Sequence, residues 1–280
     1  MKIYRPLLAY VHMERTGGTT LNSILRRNFL PWHLDVRPLS RQSEGTFRPH
    51  DLVRILRINP GLQCISGHSV TSWAALEDVA PNIHYITILR DPVKRYASHY
   101  IYWVERKRLR MSFREFASIE TLHNLQTKKI AGRPDLELAK EIIRTRFLAL
   151  GVLEEFDEFI VTLIARLRPV PFDGRYIRQN ATRNVSAMNT LLAEHQDTIR
   201  KHNAIDVALY EWAVNVVLVN QKDEYGPTFA ADLGQFVEVR KASAPAMWKS
   251  YVDYACRKLY FEPCIGARRL LGGLHYHGAY

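Results

Sequence analysis

Residues 12–25 read HMERTGGTTLNSIL and bring one arginine together with two glycines and three threonines. Backbone N–H groups in a glycine turn can approach an anion closely, and the N-terminus of a following helix favours negative charge. The threonine hydroxyls and the guanidinium add donors for paired oxygens. A tight turn with a capping threonine is the plainer interpretation. The residues that we predict to bind an anion are Arg15, Thr16, Gly17, Gly18, Thr19 and Thr20.

A second cluster follows the apolar, β-branched run 83–89, where Arg90 stands before Asp91 and Pro92. Asp91 can cap a helix whose first turn contains Pro92. Ser98 would then lie two turns into that helix, so that Arg90 and Ser98 could flank one phosphate. The alternatives are a salt bridge between Arg90 and Asp91, and an ordinary helical role for Ser98.

A candidate proton acceptor, His68, follows Gly67 at the end of the apolar run 62–68. Imidazole is suited to remove a proton near neutral pH, and we predict that His68 is a general base. The alternative is a histidine bonded to a loop carbonyl. We rank His12 and His99 lower, because His12 is expected to point into the strand packing and His99 lies on the Ser98 helix.

Several classes of site are disfavoured by absent patterns. The Walker A pattern GxxxxGK[ST] does not occur, which argues against an ordinary ATPase or GTPase. The three cysteines form no CxxC pair, so that neither a disulfide framework nor a zinc site is indicated. We expect no metal cofactor, and the cysteine usage favours a reducing cytoplasm.

These residues need elements that place them together. Strand-like runs alternate with helix-like ones, which predicts a parallel sheet covered on both faces. The strand candidates are residues 3–12, 62–68, 83–89 and 147–153, with a weak signal at 235–240. Helical patterns dominate residues 185–222 and 246–260, whereas residues 31–50 have the composition of a loop.

The predicted fold class is α/β, with a P-loop-like parallel sheet flanked by helices and a helical C-terminal part. We expect residues 1–222 to form the α/β core and residues 223–280 a helical extension packed on it, as a single domain overall. In such sheets ligands bind beyond the carboxyl ends of the strands. Three predicted strands end at one of the three clusters above, and this convergence favours a common site.

Composition sets limits on the partner. The chain has 280 residues, 47% of them apolar, and a formal net charge of +11. This composition is typical of a globular protein with a substantial core, and no apolar run is long enough for a transmembrane helix. The positive charge favours an anionic partner, namely a nucleotide, a nucleic acid, an acidic polysaccharide or a membrane surface, and does not choose among them. No zinc-finger or RNA-recognition signature supports nucleic-acid binding.

Two segments carry a resemblance to a known family. HMERTGGTTL (12–21) resembles the HIPKTGGTTL loop of Golgi-type carbohydrate sulfotransferases, which include heparan sulfate 2-O- and 6-O-sulfotransferases and their bacterial relatives. TILRDPVKRYASHYIY (87–102) is similar to the family's 3′-phosphate segment. Weaker echoes are ISGH (65–68), NLQTKKIAG (124–132), GVLEEFDE (151–158), RQNATRN (178–184) and NAIDVALYEWA (203–213).

The resemblance implies 3′-phosphoadenosine 5′-phosphosulfate (PAPS) as sulfuryl donor. The loop 15–20 would bind its 5′-phosphosulfate, and Arg90 and Ser98 its 3′-phosphate. Arg15 stands where the family usually has lysine, and we predict that it clamps the leaving phosphate electrostatically. Glu14, where the family often has proline, is predicted to be a surface residue. His68 matches the histidine of the family's Gly-His element.

The leading functional prediction is therefore a PAPS-dependent enzyme that transfers a sulfuryl group to a hydroxyl of a neutral or anionic acceptor of the carbohydrate type. A nucleotide-dependent kinase with a degenerate phosphate loop is the alternative enzyme. A non-catalytic module for nucleotides or anionic polymers is the alternative of another class. The basic, aromatic tail 256–280 could contact a glycan or a membrane surface peripherally, although packing on the core is the preferred interpretation.

Overall fold

The computed structural model describes residues 2, 3, 5–178 and 185–271 of the chain. Five strands form one parallel sheet in the order β2-β3-β1-β4-β5. The strands are β1 (Leu7–Val11), β2 (His33–Asp35), β3 (Cys64–Gly67), β4 (Ile83–Leu89) and β5 (Phe147–Val152). The predicted α/β class, with a parallel sheet between helices and a helical C-terminal part, is confirmed.

Thirteen α-helices connect and cover the strands over the described ranges. They are α1 (Gly18–Asn28), α2 (Pro49–Ile58), α3 (Pro92–Ile101), α4 (Phe113–Ala117), α5 (Leu125–Ala131), α6 (Leu136–Arg146), α7 (Phe156–Arg166), α8 (Val185–His202), α9 (Ala204–Trp212), α10 (Leu218–Tyr225), α11 (Phe229–Ala242), α12 (Met247–Cys256) and α13 (Glu262–Leu271). A π-helical segment, Tyr102–Arg106, extends α3, and two others join α9 to α10 and α12 to α13.

Two sequence predictions on secondary structure were wrong. The stretch predicted as loop contains the edge strand β2, which is only three residues long and pairs with β3 at Cys64–Ser66. A strand of three residues is too short for an alternation of apolar and polar residues to be recognised in the sequence. The weak strand signal at 235–240 lies inside α11, where Phe236 packs against the core that includes α7. Tertiary packing therefore decides the conformation of this segment, despite its two valines.

The central strand β1 has helices on both faces because its side chains alternate between two cores. Leu7 and Ala9 pack in the core formed with α2 and α6, whereas Leu8 and Tyr10 pack with α1 and α7. All five residues of the strand are buried. A continuous apolar run, rather than an alternating one, is the pattern expected for such a doubly covered strand.

The C-terminal helices rest on this body. Phe261, just before α13, is buried in the core that contains β1, and α12 packs against α1. The outer side of α12 and the segment after it exposes Trp248, Tyr251 and Leu259. Within the described ranges, no helix combines the length and the apolar character that crossing a bilayer requires.

The topology brings the three predicted clusters to one edge. After β1 the chain forms β2 and β3 on one side of β1, and then it crosses to β4 on the other side. Val11 at the end of β1 pairs with Gly67 of β3, and its carbonyl accepts a 2.9 Å hydrogen bond from Oγ1 of Thr87 on β4. Residues 12–20, 68 and 90 therefore follow neighbouring strand ends, at the point where the strand order reverses.

Candidate active site

The glycine turn between β1 and α1 has the backbone geometry that an anion site needs. Gly17 is the N-cap of α1 and has φ 81°, a left-handed conformation that favours glycine. A Cβ atom there would also lie 2.6 Å from Cδ1 of Leu153. The buried Thr16 stabilises the turn, since its Oγ1 donates a 3.1 Å hydrogen bond to the carbonyl of Met13. The first N–H groups of α1 are thus held at the cavity wall.

An open cavity of about 420 Å³ lies in front of this helix end. Gly17, Gly18, Thr19 and Thr20 line it on the side of α1. The first turn of α1 has no acidic residue, so that the helix dipole is uncompensated there. The helix N-terminus and its threonines thus form one wall of the cavity, and that anions bind there stays a prediction.

Arg15 lines the cavity, whereas its neighbour Ser98 is buried and is not among the described residues that line it. Its Nε donates a 3.0 Å hydrogen bond to Oγ of Ser98, and its guanidinium stacks over the ring of Tyr102 at 4.9 Å. Partial burial lowers the pKa of Arg15 from its ordinary value, although the group stays cationic at neutral pH. Tyr102 follows Ser98 by one helical turn, and the two side chains together fix the direction of the guanidinium.

Arg90 closes the same corner of the cavity. Its Nη1 donates a 3.0 Å hydrogen bond to the carbonyl of Arg15, and burial lowers its pKa to about 10. Asp91 instead caps α3, because its Oδ1 accepts from the backbone N–H groups of Val93 and Lys94 at 2.9 and 3.0 Å. The prediction that Asp91 begins this helix is confirmed, and Arg90 remains directed at the cavity.

The backbone of Arg90 is itself clamped by Gln126. The side-chain amide of Gln126 accepts from Arg90 N at 2.9 Å and donates to Arg90 O at 3.0 Å. Asp206 on α9 in turn accepts from the N–H groups of Gln126 and Thr127 at 3.0 and 2.7 Å. The segments NLQTKKIAG and NAIDVALYEWA therefore hold the strand end that carries Arg90. Beyond Arg178, the RQNATRN segment lies outside the described residues.

His68 stands on the third strand end, at the rim of the cavity. Its Nδ1 is 3.1 Å from the carbonyl oxygen of His12. A carbonyl only accepts, so Nδ1 carries the proton in the neutral ring and Nε2 keeps its lone pair. The preceding Gly67 has φ 147°, and a Cβ there would lie 2.5 Å from the carbonyl oxygen of Val36. The side chain of His68 is 51% exposed.

Glu14 departs from its prediction as a surface residue. Its side chain is only 27% exposed, and Oε1 lies 3.4 Å from Nδ1 of His68 and 4.0 Å from Nζ of Lys129. Burial alone would raise the pKa of this carboxyl, but the charges of Lys129 and His68 outweigh it and hold the pKa below its ordinary value. Glu14 is thus a carboxylate in the cavity wall.

The two histidines that were ranked lower also line the cavity. His12 does not simply pack within the strand, since its ring stacks on that of His68 with centroids 4.1 Å apart. Burial holds the pKa of His12 well below its ordinary value. His99 is 5% exposed, and burial together with the charge of Arg95 lowers its pKa to about 3. Both rings are therefore neutral near pH 7.

Sequence reasoning missed three further residues at the site. Tyr102 could have been found from its spacing of four residues after Ser98 on one helix face. Arg178 adds a third guanidinium to the cavity and lies next to Tyr176 in the lining. Lys129 lies in the NLQTKKIAG segment, but nothing in the sequence indicates that it donates to the carbonyl of His68 from α5. Across the described ranges, no group of three or more His, Cys, Asp or Glu side chains is placed to hold a metal ion.

Comparisons with known proteins give a likeness to solved structures. No protein-family model matches the chain, and no curated protein sequence matches it. The crystal structure of a sulfotransferase from Alicyclobacillus acidocaldarius is similar at 16% sequence identity and a TM-score of 0.38. That match covers 71% of this chain and 96% of the other.

Proposed function

We propose that the protein is a PAPS-dependent sulfotransferase that modifies a hydroxyl group of a carbohydrate-type acceptor. The observation that supports this most is the convergence at one cavity of a glycine turn at a helix N-terminus, a clamped arginine and a histidine whose Nδ1 faces a carbonyl oxygen. The HMERTGGTTL and TILRDPVKRYASHYIY segments, which carry the family resemblance, supply the residues that we assign to the two anionic groups of the donor.

The residues present fit a donor with two separate anionic groups. Glycine is required at position 18 because a Cβ there would lie 1.9 Å from Nε2 of His12 and 2.8 Å from the Tyr10 hydroxyl. The His12 ring and the Tyr10 hydroxyl thus pack directly against the first residue of α1, and we assign one anionic group of the donor to this helix end. Arg90 lines the same cavity and Ser98 lies beside Arg15, and we assign the 3′-phosphate to Arg90 and Ser98. PAPS, when bound, supplies an activated sulfuryl group with a phosphate as its leaving group.

Each side chain then has a defined task. The N–H groups of residues 17–19 and the hydroxyls of Thr19 and Thr20 bind and orient the phosphosulfate, whereas the N–H of Thr20 donates to the carbonyl of Gly17. Arg15 stabilises the negative charge that develops on the leaving phosphate; Nε is engaged by Ser98, and we assign the two Nη groups to this charge. Arginine is a poor acid, but a phosphate leaves without needing a proton. The role does not require lysine.

His68 handles the proton of the acceptor. An S–O bond forms between the acceptor oxygen and sulfur while the S–O bond to the bridging phosphate oxygen breaks. The hydroxyl proton passes to Nε2 of His68, and the electron pair of the broken bond stays on the phosphate. Since His68 lies half-exposed at the rim, an acceptor larger than the cavity could present its hydroxyl there.

The charge of the acceptor is a further part of this proposal. A run of exposed cations, Arg106, Lys107, Arg108 and Arg110, follows Tyr102 at the cavity. Together with the net charge of +11, this run would favour an acceptor that carries negative charge. Weaker turnover of an anionic acceptor at high salt would support the assignment, because salt screens exposed charges.

Two measurements test the function. Adenosine 3′,5′-bisphosphate (PAP), the product of the donor, should raise the melting temperature more than ADP or ATP does at equal concentration. Turnover of sulfur-labelled PAPS against a panel of saccharide acceptors should then give a labelled product, also in the presence of a chelator. Stabilisation by ATP with transfer of its γ-phosphate would instead identify a kinase.

A further inference from the structure

We propose that Glu14 is a positioning residue for His68, and that Lys129 keeps its carboxylate in place and ionised. The inference rests on the proposed function for its kinetic meaning, although the state of His68 can be measured without any turnover. The resemblance to the sulfotransferase family does not contain it, because that family often has proline at this position.

The geometry places two acceptors around a single N–H group. Nδ1 of His68 lies 3.1 Å from the carbonyl oxygen of His12 and 3.4 Å from Oε1 of Glu14. The carbonyl fixes the tautomer, and the carboxylate adds a negative charge on the same side of the ring. Nε2, on the other side, is left for the acceptor hydroxyl. A carboxylate that holds a histidine by Nδ1 in this way stabilises the imidazolium that forms during proton transfer.

Lys129 completes the arrangement from a different helix. Its Nζ lies 4.0 Å from Oε1 of Glu14, and it also donates to the backbone carbonyl of His68. It thus ties the strand end that carries His68 to the carboxylate that faces the ring. The lysine is 21% exposed and the glutamate 27%, so that water screens their interaction only in part.

Glu14 has an unused acceptor, which argues against a purely structural ion pair. Its Oε2 is buried and has no hydrogen-bond partner among the residues that the structure describes. A carboxylate placed only for stability would be expected to satisfy both oxygens. Leaving Oε2 without a hydrogen bond costs stability. The arrangement is explained if the negative charge of Glu14 stabilises the neighbouring imidazolium.

The proton balance is simple. When Nε2 of His68 takes the hydroxyl proton, the ring becomes a cation that is stacked on His12 and faces Glu14. Glu14 keeps its charge throughout and takes no proton itself. The other charged or titratable groups that face the pair are Tyr10, His12, Arg95, His99 and Lys129. Of these, Arg95 and Lys129 are cations and disfavour a positive charge on His68. Glu14 is therefore the group that stabilises the imidazolium of His68.

The experiment compares Glu14→Gln, Glu14→Asp and the control Glu141→Gln, an exposed carboxylate on α6 outside the cavity lining. Ring ¹⁵N shifts of His68 are read at about pH 6.5, the ordinary midpoint for histidine. We expect the imidazolium fraction to fall in Glu14→Gln, to recover in part in Glu14→Asp and to stay unchanged in the control. PAP should stabilise all four proteins equally, which shows that they fold.

With PAPS turnover, kcat of Glu14→Gln should fall by about fivefold or more, since unit charges so close interact by about that factor even in water-like surroundings. The KM for PAPS should change little, and the acidic limb of the kcat–pH profile should move to lower pH. Equal His68 charge in Glu14→Gln and wild type would overturn the inference. A changed His68 charge without sulfuryl transfer to any acceptor would support the inference and contradict the proposed function.

Discussion

Nε of Arg15 donates a 3.0 Å hydrogen bond to Oγ of Ser98, although the two residues are 83 positions apart in the chain. The contact joins the glycine turn after β1 to the helix after β4. It links the wall assigned to the phosphosulfate with the corner assigned to the 3′-phosphate. One guanidinium is therefore in reach of both anionic ends of the proposed donor.

Replacing Arg15 tests the first of these roles. We expect Arg15→Ala to lose about a hundredfold or more in kcat, the usual cost of removing a donor from a developing negative charge. Arg15→Lys should keep or improve turnover, because it restores a cation and the residue usual in the resembling family. The measurement is single-turnover transfer from labelled PAPS. Unimpaired Arg15→Ala would remove this residue from the mechanism.

Replacing Arg90 tests the nucleotide preference. Arg90→Ala should weaken PAP by about ten- to a hundredfold, the scale of a lost charge-assisted hydrogen bond. Adenosine 5′-phosphosulfate, which lacks the 3′-phosphate, should lose much less. Calorimetric titration of both ligands gives the loss of affinity for each, and the ratio of the two losses is compared. Equal losses would mean that Arg90 does not recognise the 3′-phosphate, and Ser98→Ala provides a milder parallel variant.

The assignment of His68 as the general base predicts that its replacement lowers turnover without weakening nucleotide binding. His68→Ala should cut turnover by roughly a hundredfold or more and leave PAP affinity almost unchanged, since other strand ends hold the nucleotide. Rates and binding are measured on the same preparation. The matched variant His84→Ala removes an exposed histidine on β4 and should have no effect on turnover. If His68→Ala loses nucleotide binding together with turnover, His68 is not the general base.

Two glycine substitutions should change stability in opposite directions. Gly18→Ala places a methyl group against the His12 ring and the Tyr10 hydroxyl, and we expect a loss of about 1–3 kcal/mol from overpacking. Gly234→Ala lies in α11 with no atom within 4 Å of the added Cβ, so that it should gain about 0.5–1 kcal/mol. Urea unfolding of both variants gives the comparison. A stabilising Gly18→Ala would contradict the geometry of the turn.

The buried histidines predict a loss of stability in mild acid. Burial lowers the pKa of His99 to about 3, so the folded protein binds fewer protons there than the unfolded chain does. The free energy of unfolding should fall as the pH drops below about 6.5, by about 2 kcal/mol at pH 5 for this residue. His99→Leu should reduce that slope. The slope should not vanish, because His12 and His33 have lowered pKa values as well.

The sequence predicted the elements that long periodic runs encode, and through them the edge where the site lies. Strands β1, β3, β4 and β5, the glycine turn and the cap at Asp91 all have local signals. The directions of His12 and Glu14 do not, because they depend on a turn in which Arg15 itself has φ 68°. Lys129 reaches His68 across 61 positions of chain, a contact that only the packing of α5 determines.

The pairing of Gln126 with the backbone of Arg90, and of Asp206 with the residues around Gln126, also has a consequence for biosynthesis. The glycine turn leaves the ribosome early, but the strand end at Arg90 acquires its full set of hydrogen bonds only after α9 has emerged. A nascent chain should thus gain affinity for an anionic nucleotide late, as a step rather than gradually. Stalled ribosome complexes of increasing chain length, assayed for nucleotide retention, would place that step after residue 206.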